Sequence, residues 1–326
     1  MRSGEGALDA MPELELARAE RAGEWLIVPL SDSVPESLAA GSHPHHVRQW
    51  LLALAVFPDK WVNRLFSVGG LKLDGGRLWL EAFPKAGLAR HEWAAGDAES
   101  GGVTADVLFE DDWCLVMNKP AGMAVHPSRP GQRGTLDEAA VRHCLATGQD
   151  APVRHIHRLD DDTSGPVLYA KNDLAQWRLD GAMREKAINR QYLALVNGVP
   201  QRPGGTIDAP IGRDRHHGSR RRVSLSGETA ITHYETRVAG DDAALVRVTL
   251  DTGRTHQIRV HFSHIGHPLL GDTLYGAPAE SSLRHQALHG ERLIFPHPWT
   301  GKDTVVGCPL PGWFAGLSQR HGIVTK

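Results

Sequence analysis

The stretch at residues 155–171 constrains the fold more than any other part of this 326-residue chain. Its sequence is His-Ile-His-Arg-Leu-Asp-Asp-Asp-Thr-Ser-Gly-Pro-Val-Leu-Tyr-Ala-Lys. The apolar residues on either side of the acids predict strands at 153–159 and 166–170, and Thr-Ser-Gly predicts a turn. Because the acidic residues cluster before that turn, we expect a polar loop held on a rigid sheet.

The loop contains three successive carboxylates, Asp160, Asp161 and Asp162, close to Arg158. Alternation along a strand places Arg158 and Asp160 on the same side, with Leu159 on the other. Adjacent carboxylates repel one another, so at least one needs a cationic partner or a raised pKa, and Arg158 is the nearest candidate. A solvated turn with a surface ion pair is the commoner outcome of so short a pattern, so the spacing alone assigns no function.

The charge balance excludes a protein that binds polyanions over its whole surface. The chain has 36 Lys+Arg and 38 Asp+Glu, a formal net charge of -2. Contact with nucleic acid would therefore come from local patches. The richest patch, at 211–222, contains Arg213, Arg215, Arg220, Arg221 and Arg222. It predicts a mobile cationic loop suited to a phosphate backbone, although a solvated charge run is the usual explanation of such stretches.

The cysteines and the lack of long apolar runs predict a cytoplasmic protein. Cys114, Cys144 and Cys308 are odd in number and widely spaced, so they form neither a disulfide framework nor a Cys-x-x-Cys zinc site. No apolar run approaches the roughly 20 residues that span a bilayer. Residues 1–10 lack the basic start and apolar centre of a signal peptide. We therefore expect a soluble protein that does not associate with a membrane.

The chain divides into a predicted N-terminal module at 1–84, a linker at 85–104 and a larger domain at 105–326. In the module, a strand at 25–30 precedes two short helices with helical spacing of apolar residues. A hairpin at 69–80 follows, with Asp-Gly at its turn. The linker is assigned to a segment rich in Gly, Ala and charged residues without strong periodicity.

The larger domain alternates predicted strands and helices. A buried strand at 113–117 precedes Lys119, which by itself is interpreted as a plain surface lysine. Asp173 is predicted to cap a helix that ends near residue 186. The next strand carries Tyr192, and an aromatic residue on a strand most often serves packing.

A strand at 245–250 and the helix after it predict a second polar site. Thr255 is predicted to cap this helix, which has one apolar face, and Arg259 lies one turn into it. Four histidines in the region raise the question of a metal: His256, His261, His264 and His267. Their spacing is not His-Glu-x-x-His, no carboxylate lies among them, and the imidazoles point in different directions. We predict no metal site here.

Taken together, these segments resemble the RluA-type pseudouridine synthases. The resemblance rests on His-Arg-Leu-Asp followed by Thr-Ser-Gly, on Lys-Pro-x-Gly with His-Pro, on Tyr-x-Ala-x-Val-x-Gly, and on Thr-Gly-Arg-Thr-His-Gln-Ile-Arg with Gly-Asp and Tyr-Gly after it. The motifs occur in the family's order from about residue 106 to residue 314. Three positions depart from the pattern: Arg190 replaces a lysine, Pro166 a common leucine, and Gly290 the usual alanine.

The resemblance implies an α+β catalytic domain with a mostly antiparallel mixed sheet, flanked by helices and crossed by a cleft. It implies that Asp160 is the catalytic nucleophile and that Arg259 pairs with it, with Arg254 nearby. Arg158 would position a phosphate or hold the opened strand. Tyr192 would offer a face on which a base stacks.

The implied reaction is the isomerisation of uridine to pseudouridine in ribosomal or transfer RNA, with neither cofactor nor metal. The nucleophile would attack C1′ of the ribose or C6 of the uracil. The target uridine would leave its helix to enter the cleft. The N-terminal module resembles a degenerate S4-type RNA-binding module, and a monomer is the expected state. The alternative is a catalytically silent RNA-binding or ribosome-assembly protein, against which the intact acid and arginine positions argue.

Overall fold

The computed structural model describes residues 14–31, 38, 42–94 and 103–324. Within them the helices are α1 (Pro44–Leu54), α2 (Asp59–Val68), α3 (Leu136–Ala146), α4 (Asp173–Arg184), α5 (Gln257–His264) and α6 (Gly312–Arg320). The first strands are β1 (Glu20–Ala22), β2 (Trp25–Pro29), β3 (Leu71–Asp74), β4 (Arg77–Leu80), β5 (Asp106–Glu110), β6 (Cys114–Lys119), β7 (Arg154–His155) and β8 (Gly165–Ala170). The remaining strands are β9 (Asn189–Asn197), β10 (Gly204–Asp208), β11 (Ile211–Arg213), β12 (Arg221–Val223), β13 (Ile231–Ala239), β14 (Ala243–Leu250), β15 (Leu288–Pro296) and β16 (Asp303–Gly307).

Two antiparallel sheets form the centre of the larger domain. One has the strand order β10-β13-β14-β9-β15-β16 and the other the order β5-β6-β8-β7. They meet where the Gly290 amide of β15 donates to the Ser164 carbonyl just before β8, at 2.7 Å. Apolar side chains of β6, β8, β9, β14, α3 and α5 share one core between the sheets. The prediction of helices beside a mostly antiparallel sheet is confirmed, but the strands form two sheets instead of one mixed sheet, and every ladder within these two sheets is antiparallel.

The N-terminal module contains a third antiparallel sheet, in the order β1-β2-β4-β3. The predicted hairpin is present as β3 and β4. Its turn is Gly75-Gly76, because Asp74 already pairs with Arg77 across the strands. Both glycines have positive φ, 57° and 72°, as a two-residue hairpin turn of this kind requires. The turn therefore lies one residue later than the predicted Asp-Gly.

The module packs against the larger domain through aromatic rings. Trp299 stacks on Trp113 with ring centroids 4.9 Å apart and lies 6.4 Å from Phe57 of the module. Arg178 of α4 donates to the Val56 carbonyl at 3.2 Å. One apolar core therefore continues from the module into the β6–β8 layer. Residues 95–102 of the predicted linker lie outside the described residues, and the domain boundaries stay a prediction. No helix in the described part of the chain has the length and apolar character to cross a membrane.

The predicted strand at 153–159 is wrong in its length, because only β7, residues Arg154–His155, is strand. The Ile156 amide still donates to the Leu168 carbonyl of β8 at 2.8 Å. The Leu168 amide donates to Nε2 of the His157 imidazole at 3.3 Å. If the strand continued, the same amide would donate to a backbone carbonyl of the neighbouring strand. This side chain replaces the backbone partner and ends the ladder. Arg158 and Asp160 therefore lie on an irregular loop, not on a strand.

Two predicted helix caps are also wrong. At α4 the cap is Asn172, whose side chain accepts the Ala175 amide at 2.8 Å. Asp173 lies in the first turn, where a carboxylate favours the helix dipole. At α5 the cap is His256, not Thr255; it has φ 57° and makes no side-chain capping hydrogen bond.

The sequence predicts a mobile cationic loop at the arginine-rich segment, but the two ends of the segment pair as strands. β11 and β12 form an antiparallel hairpin in which Arg213 lies opposite Arg221. We call residues 211–223 the arginine hairpin. The Asp214 carboxylate contacts the Arg220 guanidinium at 3.2 Å and helps to close it.

Two glycines allow β8 and β15 to approach unusually closely. Gly165 has φ +135°, and a Cβ there would lie 2.6 Å from Gly290 Cα. A Cβ on Gly290 would lie 2.8 Å from Pro166 Cδ. Gly290 therefore provides the space that the Pro166 ring occupies. Two departures from the family pattern, one on each strand, compensate for each other.

We expect Gly290→Ala to lower the free energy of unfolding by about 1–3 kcal/mol, because the added methyl group overlaps the proline ring. In a Pro166→Leu background this penalty should fall by about 1 kcal/mol or more, since the ring carbon is gone. Denaturant unfolding of the four proteins measures the coupling. Gly307→Ala is the matched strand control, since a Cβ there meets nothing within 4 Å. A coupling energy of zero would contradict this account.

Candidate active site

A cleft of about 810 Å³ opens between the loop after β7 and the turn that joins β14 to α5. It narrows to an inner pocket beside β9. All five individually predicted site residues line this inner pocket: Arg158, Asp160, Tyr192, Arg254 and Arg259. The arginine hairpin lies outside the pocket lining.

Asp160 is half-buried on the loop, and its carboxylate faces Arg259 of α5. The distance from Arg259 Nη1 to Asp160 Oδ2 is 3.6 Å, an ion pair longer than a hydrogen bond. Arg158, predicted from its spacing as the nearest cationic partner, is exposed and makes no ion pair or side-chain hydrogen bond within the described residues. The cation beside Asp160 therefore comes from a segment about a hundred residues away in the chain.

Arg259 is fixed by a second carboxylate. Its Nε and Nη2 donate to the two oxygens of Asp272 at 2.7 and 2.8 Å, and both side chains are buried. Burial opposes the charge on Arg259, but the hydrogen bonds and charge of Asp272, with Asp160, outweigh it and raise the pKa of the guanidinium. The Tyr275 ring lies 5.0 Å from the guanidinium carbon. Arg259 thus stays charged and presents Nη1 toward Asp160.

Lys119 is fully buried beneath the loop that carries Asp160, Asp161 and Asp162, which we call the acidic loop. Its ammonium donates to the carbonyls of Pro120, Met123 and Asp161 at 2.9, 2.6 and 2.6 Å. Burial lowers the pKa of Lys119 to about 8, although the nearby carboxylates oppose that shift. The three donors of an ammonium are all used. The interpretation of Lys119 as a surface lysine is wrong.

Tyr192 forms part of the pocket wall from β9. It is only 5% exposed. Burial, with a smaller contribution from Asp160, raises the pKa of its hydroxyl, while Arg190 acts in the opposite direction. The phenol therefore stays protonated at neutral pH, and its ring is an apolar surface within the pocket.

The turn after β14 is held by Gln257. The Gln257 side chain accepts the Arg254 amide at 3.0 Å and the Thr252 hydroxyl at 2.8 Å. It also donates to the Ile231 carbonyl at 3.0 Å. The Arg254 guanidinium contacts the Glu228 carboxylate. Arg254 therefore lies at the pocket with its charge partly compensated.

The arginine hairpin is attached to the site through Tyr275. The Tyr275 hydroxyl accepts the Arg221 amide at 2.9 Å and contacts His256 Nδ1 at 2.8 Å. Because His256 lines the inner pocket, one hydroxyl joins the hairpin to the pocket wall.

Histidines of α5 and its ends have separate partners. His261 Nδ1 contacts the Thr232 hydroxyl at 2.8 Å, and its Nε2 contacts the Ala209 carbonyl at 2.9 Å. His267 Nδ1 contacts the Asn197 carbonyl at 2.9 Å. These two imidazoles link the helix and its end to neighbouring strands and loops.

One other group within the described residues brings potential metal ligands together: Asp111, Cys114 and His297 have ligand atoms within 4.8 Å of one another. His297 Nδ1 accepts the amides of Trp299 and Thr300 at 3.2 and 3.1 Å. Its Nε2 therefore carries the proton and donates to Asp111 Oδ2 at 2.6 Å. This arrangement is a hydrogen-bonded link between the turn that joins β5 to β6 and the residue that follows β15.

Sequence reasoning missed the roles of Asp272, Lys119 and Tyr275. Their motifs were visible as Gly-Asp, Lys-Pro-x-Gly and Tyr-Gly, but each side chain acts on a partner that only the tertiary structure supplies. Asp272 contacts a residue on the preceding helix, and Lys119 reaches a carbonyl 42 residues away.

Comparison with known proteins agrees with this geometry. The family model described as RNA pseudouridylate synthase matches residues 113–264. The uncharacterized RNA pseudouridine synthase YhcT of Bacillus subtilis is 47% identical over 218 residues, which are 66% of this chain and 72% of that protein. The ribosomal large subunit pseudouridine synthase D of Pseudomonas aeruginosa is 40% identical over 303 residues, which are 86% of this chain and 90% of that protein.

Solved structures show the same similarity. Human RNA pseudouridylate synthase domain containing 4 has a TM-score of 0.55 and 26% identity, covering 66% of this chain and 92% of that one. The human domain containing 1 protein has a TM-score of 0.56 and 26% identity, covering 69% and 91%. The chain belongs to the RluA family of RNA pseudouridine synthases, which are isomerases.

Proposed function

We propose that this chain isomerises specific uridines of structured RNA to pseudouridine with Asp160 as the nucleophile. The observation that carries the proposal is the convergence of Asp160, Arg259 and Tyr192 on one pocket in a member of this family. The three residues lie on a loop, a helix and a strand that are far apart in the sequence.

Each side chain has a part in the proposed reaction, which breaks the N-glycosidic bond, turns the uracil and rejoins it through C5. Asp160 attacks C1′ of the ribose or C6 of the uracil. Arg259, held by Asp272, places its positive charge opposite the Asp160 carboxylate. Tyr192 supplies a ring face for the base that has left its helix. Arg158, exposed at the cleft and without an ion pair in the described residues, is free to contact a phosphate.

The arginine hairpin is the proposed contact with the RNA backbone. Its five arginines are accompanied by a single carboxylate, Asp214. Like charges directly opposite each other on paired strands are unfavourable, as for Arg213 and Arg221. Phosphates would remove that repulsion, and Arg215, Arg220 and Arg222 are exposed beside the pair.

Ribosomal RNA of the large subunit is the proposed first substrate, because the Pseudomonas aeruginosa relative that covers most of the chain carries that substrate in its name. Transfer RNA is the alternative. The proposed setting is the cytoplasm, with the protein as a monomer that needs no cofactor. Its three cysteines are unpaired and buried, as a reducing compartment permits.

We also propose that the N-terminal module, residues 1–84, is a degenerate S4-like unit that adds an RNA contact to the catalytic domain at 105–326. The support is its pair of short helices followed by the β3–β4 hairpin. Its packing on Trp113 and Trp299 would hold such a contact in a fixed position relative to the cleft.

The direct test is tritium release from RNA that contains 5-tritiated uridine. We expect the unaltered protein to release tritium, and Asp160→Asn to lower the rate by about 10³-fold or more because the amide is a poor nucleophile. RNA affinity should stay within about threefold, since the change is isosteric.

Asp162→Asn is the matched control, because Asp162 is an exposed neighbour on the same loop. It should leave release unchanged. Release that persists in Asp160→Asn would refute the nucleophile. Full complementation of a deletion strain by Asp160→Asn would favour the silent RNA-binding alternative.

The arginine hairpin can be tested through salt dependence. Replacing Arg213, Arg215 and Arg222 by glutamine should make the slope of log affinity against log salt shallower by about 2–3, because each phosphate contact contributes about 0.7–0.9. Arg237→Gln, an exposed arginine on β13, is the control. An unchanged slope in the triple variant would place the RNA elsewhere.

Lys119 offers a test of how the acidic loop is held. Lys119→Met should lower the free energy of unfolding by about 2–3 kcal/mol, because three carbonyls lose their donor. Tritium release should fall as well, since one of those carbonyls belongs to Asp161, next to Asp160. Lys60→Met, on the exposed side of α2, is the control. Equal stability and equal release in both variants would contradict this role.

A further inference from the structure

Arg190 lies at the boundary between the inner pocket and the wider cleft. It lines both cavities, whereas Tyr192, two residues later on β9, lines the inner pocket but not the wider cleft. Side chains two residues apart on a strand point to the same face of the sheet. Because the RNA chain must continue into the cleft, a base that stacks on Tyr192 would leave its sugar and phosphates on the side of Arg190.

The guanidinium of Arg190 is unpaired. It makes no hydrogen bond or ion pair with any residue that the structure describes, and its Nε is buried. The other arginines of the inner pocket differ, because Arg254 and Arg259 each contact a carboxylate and Arg158 is exposed to solvent. A partly buried cation without a counter-charge is unfavourable. A ligand that brings a negative charge would therefore gain more at Arg190 than at the exposed Arg158.

The groups next to the Arg190 guanidinium carry no negative charge. A Cβ on Gly253 would lie 3.0 Å from Nη1 and 3.4 Å from Nη2, so the guanidinium lies directly against the backbone of the turn after β14. Burial lowers the pKa of His157 to about 3, and the charge of Arg190 acts in the same direction, so this imidazole is neutral. The buried Tyr192 phenol stays protonated as well. These neighbours therefore leave the charge of Arg190 uncompensated.

We propose that Arg190 binds a phosphodiester that adjoins the target uridine and so positions that nucleotide in the inner pocket. The inference rests on the proposed function and adds a backbone contact to it. A phosphodiester carries one negative charge and two non-bridging oxygens, and a planar guanidinium can donate to both oxygens at once. A uracil carbonyl would satisfy the donors but would leave the charge uncompensated.

Two features of the sequence suit Arg190 to this contact. The lysine that the family pattern has at this position would supply the charge but not the planar fork, which fixes the orientation of a phosphate. Gly253 leaves the space that the guanidinium occupies, since a Cβ at 3.0 Å from Nη1 would be tighter than ordinary van der Waals contact. Arg190 is a positioning residue, because it holds the RNA chain while Asp160 acts on the nucleotide.

The first test is the salt dependence of tritium release at low RNA concentration, where the rate reports kcat/KM. We expect Arg190→Gln to lower kcat/KM by about 10-fold or more, because a hydrogen-bonded charge pair is lost. The slope of log kcat/KM against log salt should become shallower by about 0.7–0.9, since one phosphate contact is gone. Arg190→Lys keeps the charge, so it should keep the slope while losing part of the rate.

Arg237→Gln, at an exposed position on β13, is the matched control and should change neither the rate nor the slope. Arg190→Met, which keeps an unbranched apolar stem, serves as the second neutral variant if glutamine disturbs the fold. Slopes in the neutral variants that equal the slope of the unaltered protein would overturn the proposal.

The second test removes the charge from the RNA instead of from the protein. A fragment that contains the modified uridine is synthesised with a methylphosphonate at the linkage on the 5′ side or on the 3′ side of that uridine. Every strand, including the phosphodiester reference, carries 2′-O-methyl groups on the nucleotides 5′ of both linkages, which keeps the methylphosphonates stable.

We expect one of the two replacements to weaken binding to the unaltered protein by about 10-fold and to have no further effect on Arg190→Gln, because both changes remove the same contact. Losses that add fully to the Arg190→Gln loss at both linkages would overturn the proposal. Absence of tritium release from the unaltered protein would instead refute the proposed function.

Discussion

The buried ion pair between Arg259 and Asp272 is the interaction on which the site depends. Both Asp272 oxygens bind the guanidinium, at 2.7 and 2.8 Å, so the arginine has one orientation and directs Nη1 to Asp160. Breaking a buried pair leaves an uncompensated charge, which costs more than the intact pair contributes. Tyr275, three residues after Asp272, covers the same guanidinium. One short segment therefore sets the position of the cation and encloses it.

The acidic loop is held through its backbone, by hydrogen bonds from the buried Lys119. Its carboxylates are left to the cleft, while Lys119 binds backbone carbonyls and so fixes the path of the chain without neutralising Asp160 directly. Asp160 and Arg259 are thus positioned independently, the first through the main chain of its loop and the second through a buried carboxylate. This division explains why the cation of Arg259 can lie at 3.6 Å from Asp160 and still be fixed.

The order of motifs in the sequence was enough to bring together Arg158, Asp160, Tyr192, Arg254 and Arg259, and the fold class followed from the family resemblance that those motifs carry. Predictions from local sequence patterns were wrong where a side chain forms a hydrogen bond that the pattern assigns to the backbone or to another residue. His157 replaces a strand carbonyl, so the strand ends early, and Asn172 captures the helix start next to an equally plausible Asp173. Propensity does not register such competition, and long-range partners such as Asp272 leave no periodic signal.

The contact between β8 and β15 also has a consequence for the order in which substitutions are tolerated. With alanine at 290, a proline at 166 would collide with its methyl group, whereas glycine at 290 accepts either residue at 166. Of the two single-step routes from a leucine–alanine pair to the present one, only the route that introduces glycine first avoids this overlap. With proline in place, a return to alanine at 290 is disfavoured, so the two positions are coupled.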